Sequence, residues 1–117
     1  MALQMTSEEF EVLVTEELDG LSDDIVSGLD NVVFVVEDLS PEGDMDLLGF
    51  YDGIAVTDRS LYGYGELPDR IVLFRLPLLA ACTDVDHLRS EVRVTLIHEI
   101  AHFYGIDDDE LHRLGWA

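Results

Sequence analysis

Lysine is missing altogether and cysteine occurs once, at Cys82, in a chain of 117 residues. A lone thiol forms neither an internal bridge nor a CxxC redox or zinc pair, so a disulfide scaffold is excluded. No run approaches eighteen apolar residues, and Met1 to Phe10 lack the basic and apolar regions of a signal peptide. The expectation is therefore a cytoplasmic protein with no membrane span. Positive charge is the scarcest property. Six basic side chains, all arginine (Arg59, Arg70, Arg75, Arg89, Arg93 and Arg113), stand against 26 acidic ones, for a formal net charge of −20. Residues 1–58 carry 16 of those acidic groups and no basic one. Such a surface repels phosphate backbones, so nucleic acid and anionic membranes are not expected partners, whereas cationic peptides or proteins are attracted.

What is present suits a globular domain. With 48% hydrophobic and 27% charged residues, residues 1–117 read as one domain with a real core, large enough to remove roughly two-thirds of its unfolded surface from water. Thr6-Ser7-Glu8-Glu9 is a capping box, and Phe10, Leu13, Leu18 and Leu21 follow at helical spacing, predicting a helix over 7–19. Ser22-Asp23-Asp24 caps a short second helix reaching about Leu29. The β-branched run Val32 to Val36 reads as a buried strand. Leu47 to Tyr51 and Ile54 to Thr57 read as a hairpin about Asp52-Gly53. Ser60 to Asp69, with Tyr62 and Tyr64, is a loop of the composition that gates sites, or a plain surface connection. Ile71 to Leu76 is the next strand, ended by Pro77. Thr83 or Asp84 then caps a long helix with Leu88, Val92, Leu96 and Ile100 on its apolar side, ending at Gly105. Helices first, strands in the middle and helices last is an α+β order, not the strict alternation of a doubly wound sheet.

The last two turns of that helix hold the chemistry. His98-Glu99-Ile100-Ala101-His102 is HExxH. Residues four apart sit one turn above each other, about 5–6 Å between β-carbons, so both imidazoles can converge on one ion. Glu99 lies about 100° around the helix from His98, near enough to reach water beside the ion, which is the position of a general base. A catalytic zinc takes three protein ligands, and the chain continues as HExxHxxGxxD. Gly105 enters the left-handed conformation without penalty, so the chain turns back and Asp108 completes the triad. By composition alone the extended pattern arises by chance about once in 7,000 such chains, so coincidence is a poor explanation. Zinc is the expected ion, with Mn, Co or Fe compatible with the carboxylate. His112, one turn along a closing helix over 109–114, is the rival third ligand, a supporting hydrogen-bonding group, or a bystander. Asp107, Asp108 and Asp109 can each cap that helix. His87 reads as an exposed histidine, and Glu91 as either an acceptor for an imidazole N–H or an exposed acid.

At these residues the chain resembles the zincin metallopeptidases. The run from Glu91 to Asp108, with Leu48-Gly49-Phe50-Tyr51-Asp52-Gly53, Leu67-Pro68-Asp69-Arg70-Ile71 and Leu111-His112-Arg113-Leu114-Gly115-Trp116, is similar to a family of small bacterial zincin-like metallopeptidase domains, from about Leu29 onward. The resemblance implies a minimal α+β fold whose sheet packs on the active-site helix, with His98, His102 and Asp108 at the metal and Glu99 as base. It implies a zinc-dependent peptidase acting on peptides or proteins; this chain's own acidic face would favour basic residues. One departure stands out: larger zincins place a methionine turn after the third ligand, but Met1, Met5 and Met45 all precede the motif. The floor of the site must then come from residues such as Leu111, Leu114 or Trp116. The departure also motivates an alternative, a metal-binding interaction module with little or no turnover. Tyr62, Tyr64 or His112 are the candidates for stabilising an oxyanion.

Overall fold

The computed structural model describes residues 3–53 and 68–116. Among them are five helices and a three-stranded mixed sheet: α1 (Ser7–Asp19), α2 (Asp23–Val26), β1 (Val32–Glu37), β2 (Gly49–Asp52), β3 (Asp69–Phe74), α3 (Arg75–Ala81), α4 (Val85–Tyr104) and α5 (Asp108–Leu114). The architecture is α+β, as the element order predicts. No helix among the described residues is long and apolar enough to cross a membrane.

Helix α1 begins at the expected capping box: the Thr6 hydroxyl accepts from Glu9 N at 3.1 Å and Glu9 Oε1 from Thr6 N at 3.0 Å. This satisfies two amides that the first turn would otherwise orphan. Asp84 caps α4 by accepting from His87 N at 2.8 Å. The strand order is β1-β3-β2, with β3 parallel to β1 and antiparallel to β2. The central position corrects one reading. β3, with Ile71 to Phe74 all buried, is the enclosed strand, while β1 is an edge strand whose Val33 is exposed. β2 pairs with β3; the Ile54 to Thr57 half of the expected hairpin, and the Tyr62 and Tyr64 loop, lie outside the described residues.

Pro77 does not end a strand that runs to Leu76; the strand stops at Phe74 and a helix, α3, starts at Arg75 with Pro77 in its first turn. A first-turn amide has no intrahelical partner, so proline loses nothing there.

The core joins Phe10, Leu13 and Val14 of α1, Ile71 and Leu73 of β3, Leu78 and Leu79 of α3, and Leu88, Val92, Leu96 and Ile100 of α4. Cys82 is buried in the same cluster. Beside this core α1 and α4 are clamped by charge. Buried Glu17 accepts from Arg89 Nη1 at 3.0 Å and from Arg93 Nη2 at 2.8 Å and Nε at 3.2 Å. Glu17→Ala removes the buried carboxylate that both guanidinium groups share, while Arg89 keeps Glu16 and Arg93 stays over half exposed, and is expected to cost about 1 kcal/mol in urea unfolding. A loss within error of zero would show the clamp to be ornamental. The far end of α4 is fixed by Tyr104, whose hydroxyl donates to the Ile25 carbonyl at 2.7 Å.

Candidate metal centre

Helix periodicity separates the motif into two environments. Glu99 follows Val92 by seven residues and precedes Phe103 by four, so it falls on the edge of the buried stripe and is 6% exposed. His98 and His102 fall beside that stripe, and their side chains are 45% and 48% exposed. Their ring centroids are 5.0 Å apart with planes at 72°. His102 Nδ1 and Glu99 Oε1 are 3.0 Å apart. An ionised carboxylate only accepts, so in this contact Nδ1 is the donor and Nε2 is the nitrogen turned away from Glu99.

Gly105 then turns the chain. It adopts φ 74°, the left-handed region expected of it, and its N–H meets the carbonyls of Ala101 and His102. Asp107, the first residue able to do so, caps α5 by accepting from Glu110 N at 2.9 Å. Asp108 is thereby left free of capping duty, and its Oδ1 lies 3.9 Å from His98 Nε2. Two donors on one tetrahedral zinc sit about 3.3 Å apart, so this pair is separated by little more than a shared ion demands. Among the described residues no three His, Cys, Asp or Glu side chains close on a single point. His112 and Asp109 are exposed on α5, and neither forms an ion pair or hydrogen bond with His98, Glu99 or His102 among the described residues.

Of the residues expected to floor the site, Leu111 is buried and Trp116 packs edge-on against Tyr104 with centroids 6.0 Å apart. Leu114 is 46% exposed and takes no part in that floor. Aromatic contacts continue from Tyr104 to Phe103 and on to Tyr51 of β2.

An open cleft of about 250 Å³ lies beside the motif, between Leu47 to Gly49 and the side of α4 that carries Glu91, Val94, Thr95, His98 and Glu99. Glu91 therefore neither contacts a motif imidazole nor stands apart in solvent. Residue spacing alone did not bring Thr95 or Gly49 forward; the signals were a hydroxyl one turn before Glu99 and a glycine inside a strand. A β-carbon at Gly49 would meet Thr95 Cγ2 at 2.7 Å, the Val72 carbonyl oxygen at 3.2 Å and Glu99 Cγ at 3.3 Å. Gly49→Ala must push β2 from the helix, and is expected to cost about 1–3 kcal/mol by thermal or urea unfolding. Wild-type stability in that variant would mean that the strand yields freely. A larger groove of about 690 Å³ lies between the N-terminal segment and α3. Its two charged groups are already engaged, Glu9 in the α1 cap and Arg75 with Asp38, so it offers no comparable chemistry.

Among curated proteins none is significantly similar to this chain. A solved structure, a conserved hypothetical protein from T. thermophilus, shares the fold with a TM-score of 0.52 at 24% identity, over 94% of this chain and 97% of that one. The sequence profile of the zincin-like metallopeptidases matches residues 29–116, from just before β1 through Trp116. By that match the chain belongs to the zincin-like metallopeptidase family.

Proposed function

We propose that the chain is a zinc-dependent metallopeptidase in which His98, His102 and Asp108 hold the ion and Glu99 is the general base. One observation carries this reading: two exposed imidazoles a turn apart flank a buried carboxylate, with Asp108 brought by the Gly105 bend to 3.9 Å from His98 Nε2. Two imidazoles and a carboxylate fit zinc, and three protein ligands leave a position for water or substrate. When bound, the ion supplies Lewis-acid polarisation of the scissile carbonyl and acidifies the attacking water. Glu99 removes a proton from that water and returns it to the leaving amine, which breaks the peptide bond without a separate acid. His102, by donating its Nδ1 proton to Glu99, keeps its other nitrogen available and fixes the rotamer of the base.

The test is metal content of protein purified without added zinc. The wild type is expected to carry about one equivalent, or to take it up on supplementation, and His98→Ala to carry little while keeping its circular dichroism. Wild-type protein that refuses supplied zinc would remove the reading. A second reading, a metal-binding interaction module with little turnover, is supported by the near-half exposure of both imidazoles. It predicts a protein complex whose affinity survives Glu99→Gln.

A further inference from the structure

Resting on the peptidase reading, we infer that the cleft beside His98 and Glu99 is the subsite that selects a lysine or arginine side chain of the substrate, held by Glu91 and Thr95. At about 250 Å³ the cleft falls below the size of drug-like ligand pockets and suits a single side chain. Its walls are Leu47, Leu48 and Val94, apolar surface of the kind that covers a methylene stem while a charged head goes elsewhere.

Two polar groups await that head. Glu91 is half-buried and no arginine pairs with it: the described arginines bind Glu37 and Asp52, Asp38, Glu16 and Glu17, and Glu110. Its nearest partner is His87 Nε2 at 3.9 Å, beyond hydrogen-bond reach. Thr95 is only 6% exposed, yet its hydroxyl forms no hydrogen bond among the described residues. No side-chain oxygen in the described residues is both sealed from solvent and unpaired, so this hydroxyl opens into the cleft while its methyl abuts Gly49. A hydroxyl that faces the cleft is placed to accept from an ammonium or guanidinium group that enters it. Length narrows the choice further. Glu91 and His98 are seven residues apart on one helix, about 10 Å, a span that only the longest side chains bridge from a peptide seated at the motif.

The test compares fluorescein-labelled alanine-glycine nonapeptides that differ at one central residue, lysine or norleucine, which share a stem and differ by the ammonium group. Anisotropy titrations use zinc-supplemented Glu99→Gln protein, so that the peptides stay intact. Lysine is expected to bind about fivefold more tightly, with Glu91→Gln on that background bringing the ratio near unity and Thr95→Val narrowing it. Equal affinities, or a preference that persists in Glu91→Gln, would overturn the assignment. Turnover of the same peptides by wild-type protein separates the two claims. Cleavage without lysine preference removes the subsite and leaves hydrolysis, whereas Glu91-dependent binding without cleavage removes hydrolysis and leaves the subsite.

Discussion

Glu99→Gln is expected to lower kcat for peptide hydrolysis by about 10²- to 10⁴-fold, the range that a positioned base contributes. The replacement has nearly the same volume, which matters at a site 6% exposed and in contact distance of β2. An amide oxygen still accepts from His102 Nδ1, so the orientation of that ring is retained. Zinc content should therefore stay near that of the wild type while turnover falls, with KM changing little because the carboxylate acts on the water and not on the resting substrate. Undiminished hydrolysis would remove Glu99 as the base. A parallel loss of zinc would show instead that its main service is to hold His102.

Phe10→Ala is expected to give the largest loss of stability, about 3–5 kcal/mol. Phe10 is fully buried and belongs to the same cluster as Leu96 and Ile100, the two residues on which the motif turn rests. The aromatic ring leaves a hole that a helix clamped by Glu17 to α4 cannot collapse to fill. Urea unfolding monitored by circular dichroism measures the effect, and a loss under about 1 kcal/mol would mean that α1 unfolds separately from the rest.

What the sequence makes legible here is local. The Thr6 to Glu9 box, the Asp84 cap, the helical spacing from Leu88 to Ile100 and the Gly105 bend are each fixed by residues within a turn or two, and each stands where its pattern puts it. The burial of Glu99 against the exposure of His98 and His102 also follows from helix angle alone. Non-local facts escape. β1 is rich in valine whether it lies in the middle or at the edge, and only the pairing of Val32 with Asp69 and its neighbours assigns the centre to β3. Pro77 stops a strand and starts a helix equally well, so its context decides. Glu91 becomes part of the cleft because Leu47 to Gly49 cross above it, a contact over more than forty residues of chain.

The homologous module opens at residue 29, yet the scaffold that steadies the motif helix does not. Phe10, Leu13, Val14 and Glu17 shield the rear of α4 from a position ahead of that limit. Trimming to the family limits would bare a greasy flank of the motif helix and take away the acids that hold Arg89 and Arg93.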